Sequence, residues 1–263
     1  MKKGGKLPLL FCLGEIYTKG VPGRVFRMKK KEMDIMKVLF CNIAWMQWYK
    51  DVRDIDVPQN GGAYVNQYHT GSEVDNFWPL ENTLPELENV DGSIIKLPEG
   101  DICLGFVETG HTKNGDSKQL KIERIDGCEA LKNHPFVEDV LVIFCATRVG
   151  NNYTSVVGWY NHATVCRNYF VYPYDDEIDL WKNIYCKASD AVLLPVEGRK
   201  WRVPRAAKAG WGFGQSNVWY AEYSKNDETQ PFVEDICKKI IDYDGPNILY
   251  EEPIDIYGGA YDE

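Results

Sequence analysis

The segment Gly210-Trp211-Gly212-Phe213-Gly214-Gln215-Ser216-Asn217-Val218-Trp219-Tyr220 concentrates the residue types that a single unstacked nucleotide needs. Glycine lets a backbone approach a ligand closely because it has no Cβ. The side chains of Gln215, Ser216 and Asn217 offer donors and acceptors to base edges, and Trp219 offers a flat face for stacking. A basic run of Arg199, Lys200, Arg202, Arg205 and Lys208 precedes them and could meet phosphate. Charge for the backbone, amides for the edge and rings for the plane together describe single-nucleotide recognition. The same glycines also suit a tight turn leading into a core strand.

Other segments carry a similar mixture. Asn42, Trp45 and Tyr49 surround a strand-to-helix transition, Gly61, Gly62 and Tyr64 pair a free backbone with a ring, and Trp159 and Asn161 mark a strand corner. Strand residues alternate between faces, so Trp159 and Tyr160 cannot both point inward from a regular strand. A base-binding cage therefore requires that these rings and amides converge from distant parts of the chain. Each ring taken alone also fits a core position.

Catalytic arrangements are sparse. The histidines at 69, 111, 134 and 162 form no metal-ligand spacing, and neither a nucleophile elbow nor a Walker loop is present. Gly210, Gly212 and Gly214 precede a strand instead of opening a helix, unlike a dinucleotide fingerprint. No cofactor or metal is expected. Asp101, Asp116 and Lys118 are the nearest approach to a Mg²⁺-dependent nuclease centre, although Asn114-Gly115-Asp116 reads as a turn.

The elements that must position these residues are mostly strands. The 263 residues include 8 Trp, 16 Tyr and 10 Phe, which favours a β-rich core. Periodicity and turn signals predict strands over 37–44, 102–108, 119–125, 140–147, 154–161, 164–171, 190–194 and 216–223. They predict helices over 45–50, 127–132, 176–182 and 231–243, the last with Phe232, Ile236, Ile240 and Ile241 near one face. Many short strands with little helix imply an α+β fold built on one strongly bent mixed sheet or pseudo-barrel.

Residues 1–34 are expected to form a basic N-terminal extension, 35–250 the folded domain, and 251–263 an acidic, disordered tail. The extension carries nine Lys/Arg and three Asp/Glu; the remainder holds 21 Lys/Arg against 36 Asp/Glu, a net −15. The overall charge of −9 argues against indiscriminate coating of nucleic acid, and it isolates the 199–208 run as a local anion site. Eight scattered cysteines without a Cys-x-x-Cys pair read as buried free thiols of a reducing, cytoplasmic protein. No apolar run is long enough to span a membrane, and the apolar run Leu7–Leu13 is short for a leader.

Lys37–Met46, Asn60–Val65, Val156–Val165 and Gly212–Ala221 resemble segments of uncharacterised bacterial modules that occur alone or beside nuclease domains of modification-dependent restriction systems. Those modules resemble the PUA-like superfamily, with its EVE, YTH, ASCH and SRA-type domains. The resemblance covers about residues 37–223. It implies a bent β-barrel with flanking helices and a pocket for a modified or flipped base. It also implies DNA or RNA carrying a modified base as partner, a separate nuclease subunit as a further one, and a role in defence against foreign DNA. A metal-dependent nuclease acting on modified nucleic acid, and a protein-interaction adaptor whose rings are core, are the alternatives.

Overall fold

A computed structural model describes residues 36–115, 117–174 and 178–253. The basic extension 1–34, Asp116 and nearly all of the acidic tail lie outside the described residues.

The chain folds as α+β around one mixed sheet with few helices. Strand β1 (Lys37–Asn42) is apolar on both faces, as a central strand requires, and runs parallel to β6 (Phe136–Ala146) in the register Lys37↔Val140 to Asn42↔Cys145. The short β11 (Val218–Trp219) pairs antiparallel with the other edge of β1. β7 (Thr154–Pro173) organises the rest. One of its edges pairs with β6; the other pairs in turn with β10 (Arg202–Val203), β9 (Ala191–Leu193) and β8 (Asp179–Lys187). From β8 the sheet continues to β5 (Gly100–Gly105) and β2 (Leu80–Asn82). A separate hairpin joins β3 (Glu86–Glu88) to β4 (Ile94–Lys96).

Among the described residues the sheet does not close into a barrel: its end strands β11 and β2 each pair with one neighbour. Register shifts interrupt the regular ladder between β6 and β7, as an extra residue in one strand of a pair does. At one shift Asp139 and His162 both adopt positive φ, 60° and 49°, and His162 Nδ1 lies 2.7 Å from Asp139 Oδ1.

Alternation along the strands builds a core on each face. Leu39, Cys41, Phe144 and Tyr160 pack with Phe77 and Tyr49 on one side. Val38, Phe40, Ile143 and Trp159 pack on the other against Val233, Ile236, Cys237 and Ile240. Those four lie on the long helix Thr229–Ile241, whose Pro231 sits in the first turn, where a missing N–H costs nothing. Its predicted inward face is nearly the observed one. Leu80, Ile102, Leu104, Phe170 and Tyr185 form a third cluster beneath β5 and β8.

Several expected elements differ. Residues 154–161 and 164–171 are one continuous strand, because the bulge at His162 bends the ladder without ending it. Residues 45–50 are irregular, with Tyr49 at φ 52°, and the Asp56 carboxylate accepts the N–H groups of Gln47, Trp48 and Tyr49 at 2.6, 2.6 and 3.3 Å. A side chain thus replaces the carbonyls a helix would have supplied. The predicted strand 119–125 holds only a 3₁₀ turn at Ile122–Arg124, and 127–132 only one at Glu129–Leu131. In place of a helix over 176–182, β8 begins at Asp179, and residues 175–177 lie outside the described residues. The register Tyr172↔Leu180 shows why: pairing with β7 outweighs the acidic helix-start signal. The turn-rich 58–65 stretch opens a short helix, Gly62–Tyr68.

The seven described cysteines are all buried and unbridged. No described helix is long and apolar enough to cross a membrane.

Candidate nucleic-acid interface

The end of the sheet where β1 stops, β6 finishes and β7 begins gathers part of the expected set. Between β10 and β11 the chain folds back on itself: Phe213 N–H donates to Pro204 O at 3.0 Å, and Ala206 N–H donates to Phe213 O at 2.8 Å. Gly210, at φ 79°, caps the short helix Ala206–Ala209. Gly212, at φ 95°, passes so close to Pro204 that a Cβ would lie 2.2 Å from its carbonyl oxygen. Gly210 and Gly212 are therefore required by the loop's own closure. Beyond it, Gly214, Gln215 and Ser216 are exposed.

This loop delivers Arg205 and Asn217 to β1. Asn217 O accepts the Asn42 N–H at 2.7 Å, and the two side-chain amides meet at 3.4 Å. Arg205 donates from Nη2 to Asn42 Oδ1 at 2.6 Å and from Nε to Thr154 Oγ1 at 2.5 Å. Thr154 Oγ1 lies 2.8 Å from Thr147 Oγ1, and the Thr147 carbonyl accepts the Asn60 amide at 2.9 Å. A polar chain thus runs from the residue preceding Gly61 and Gly62, across the β6–β7 turn, to the Gln215-Ser216-Asn217 loop. Burial lowers the Arg205 pKa from its ordinary value, the nearby Cys145 opposing this.

Cations rim the same turn. Arg148 belongs to it, with its guanidinium 5.0 Å from the Trp45 ring centroid. Arg202 lies 4.3 Å from the Tyr153 ring, and Lys208 Nζ donates to Asn152 O at 2.6 Å. Lys200 is exposed alongside. Among the described residues, none of Arg148, Lys200, Arg202, Arg205 and Lys208 lies within ion-pair distance of a carboxylate, whereas Arg124, Arg167, Lys182 and Lys239 all do.

Arg199 has a different place. It is buried and donates to the carbonyls of Leu194, Met46 and Gln47 at 3.0, 2.5 and 2.5 Å, holding the irregular 45–50 segment to the core. Burial lowers its pKa, with Tyr49 and Asp56 opposing that shift.

The rings do not converge. Tyr49 is fully buried, and its hydroxyl donates to Ala44 O at 2.8 Å. Trp159 is 1% exposed on the helix-covered face, stacked on Trp201 at 5.7 Å and edge-on to Tyr243 at 5.3 Å. Trp45 lies in the opposite core and is nearly buried. Trp219 is half-buried, 4.7 Å from Phe40 and 5.9 Å from both Trp211 and Phe232. Tyr64 is exposed and packs on Tyr68 at 4.8 Å, on the helix that Gly61 and Gly62 open. Asn161 is half-buried beside the His162 bulge. Clefts of about 560 Å³ and 260 Å³ lie elsewhere, and none of the residues nominated for base or phosphate contact lines either.

Sequence reasoning did not single out Asn60, Thr147, Arg148 or Thr154. Their one legible signal is position, since Thr147 and Arg148 follow a strand and enter a Gly-Asn-Asn turn.

For the nuclease alternative, Asp101 is exposed on β5 opposite Glu81, and Asp116 lies outside the described residues. Among the described residues, no group of three or more His, Cys, Asp or Glu is placed to hold a metal ion.

Comparison with protein-family models, with curated proteins and with solved structures finds no match to this chain.

Proposed function

We propose that the protein is a PUA-like nucleic-acid-binding module that engages one strand of DNA or RNA at this end of the sheet and reads a modified or extruded base there. Arg148, Lys200, Arg202, Arg205 and Lys208 meet phosphate. Gln215, Ser216, Asn42 and Asn217 read the base edge, and the half-buried Trp211 and Trp219 offer stacking faces. The observation that carries this reading is the set of cations around residues 147–154, none of them ion-paired to a carboxylate among the described residues, in a chain whose net charge is −9. The PUA-like assignment draws on the mixed sheet with few helices and on the four resembling segments. Cleavage would fall to a separate nuclease subunit.

Binding of modified and unmodified DNA and RNA oligonucleotides, each at two salt concentrations, tests this. Affinity should fall with salt, with a slope of about −0.7 per phosphate contacted on a single strand. Weak, equal and salt-insensitive binding to every oligonucleotide would refute it. The adaptor reading has one observation in its favour, the burial of Tyr49 and Trp159 in two separate cores; that last result would select it.

A further inference from the structure

A second site lies away from the cationic rim, where the β7–β8 hairpin meets the loop after the Gly62–Tyr68 helix. A cleft of about 260 Å³ is walled there by Trp78, Tyr174 and Trp181. Tyr174 and Trp181 are 42% and 51% exposed, so their rings are accessible to a ligand in the cleft. Trp78 and Tyr174 form a V, with centroids 6.1 Å apart and planes inclined at 54°. The strand register opposes Trp181 to Val171, fixing its position on β8.

The charged lining is mainly acidic. Asp51, Asp75 and Asp179 line the cleft, and among its described lining residues Lys182, which is buried, is the one cation. The Lys182 ammonium is ion-paired inside the protein: it donates to the Asp75 carboxylate and, at 2.8 Å, to Ser72 O. Among the described residues, Asp51 and Asp179 make no ion pair. Aromatic faces carry negative potential and attract cations held within about 6 Å of the ring centroid. Rings and carboxylates here therefore favour the same ligand charge and disfavour phosphate.

We propose that this cleft binds an alkylated ammonium group. Three rings with flanking acids suit a cation bearing methyl groups, because such a cation is weakly hydrated and presents apolar surface to the walls. A free quaternary amine and the methylated lysine of a polypeptide both present that group. The volume suffices for the head group together with its first carbons.

Calorimetric titration of the full chain with choline and with its neutral isostere 3,3-dimethylbutan-1-ol tests the charge requirement directly. Choline should bind at least about tenfold more tightly. Equal affinity for the two, or no binding of either, overturns the proposal. Trp181→Ala and Asp179→Asn should each weaken choline binding about tenfold, with Tyr250→Ala, at an exposed ring outside the cleft, unchanged. Unaltered affinity in both cleft variants also overturns it. A trimethyllysine peptide compared with free trimethyllysine separates the sources: tighter peptide binding assigns a protein partner, equal binding a small molecule. Stronger binding of 5-methylcytidine than of choline would make the cleft a nucleobase pocket and overturn the ammonium assignment.

Discussion

Arg205 and Asn42 lie 163 residues apart in sequence, yet the guanidinium of one donates to the side-chain carbonyl of the other at 2.6 Å. That bond ties the 204–217 loop to the end of the central parallel strand. The same guanidinium reaches Thr154, so three elements depend on one side chain. It combines a structural duty with the phosphate contact proposed for it.

Replacing Arg205 separates these duties. Arg205→Lys keeps the charge but loses the fork that spans Asn42 and Thr154. Urea unfolding should show a loss of about 1–3 kcal/mol, as expected when charged hydrogen bonds are removed. Arg202→Ala, which leaves an exposed position, should cost little stability but reduce the salt slope of oligonucleotide binding by about one phosphate.

Trp159→Ala should destabilise the fold by about 3–5 kcal/mol, because a large ring leaves a cavity between Trp201 and Tyr243. Nucleotide affinity per folded molecule should be unchanged. A variant that folds normally but loses binding would contradict its placement in the core.

Gly158→Ala tests the close approach of β7 to β9. The new Cβ would fall 2.4 Å from Val192 O and 2.7 Å from the Phe77 ring, and the Val192 carbonyl has little freedom to move. Thermal unfolding should report a loss of about 1–3 kcal/mol or more.

Glu73 is almost wholly buried, and burial pushes its pKa up from 4.5, with the Ala44 N–H and Lys182 opposing. A raised folded value means that the group's stabilising contribution is complete below pH 4.5 and is lost as pH rises through the folded pKa. Glu73→Gln removes that titration while keeping an acceptor for Ala44. Chemical unfolding at pH 4.5 and pH 7 should show the variant gaining on the wild type as pH rises.

Alkaline titration probes the opposite end of the scale. Burial pushes the Tyr220 and Tyr223 phenols up from 10.0 to about 12, and the Cys166 and Cys237 thiols from 9.0 to about 12. Phenolate absorbance should therefore include a late phase near pH 12. Stability should fall between about pH 9 and 12, since the unfolded chain ionises first. Alkylation of Cys166 and Cys237 at neutral pH should require prior unfolding.

The sequence by itself determined the strand-rich α+β class, because alternation and turn residues act over a few neighbours. Lys37–Asn42 and the amphipathic helix Thr229–Ile241 were legible in that way. So was the opposition of Trp159 and Tyr160, which the two cores display on opposite faces. Local patterns could not foresee that Asp56 would hold residues 47–49 in an irregular turn, or that β7 would draw 179–182 into a strand. Both outcomes depend on side-chain or strand partners several residues along the chain, which local periodicity does not specify. The candidate site divides in the same way. Residue types proposed amides, rings and cations, but tertiary structure put Arg199, Tyr49 and Trp159 inside and set Arg205 against Asn42. Exposure and convergence arise only once long-range pairing fixes which face of each strand is covered, so sequence could nominate these side chains but could not say which of them meet.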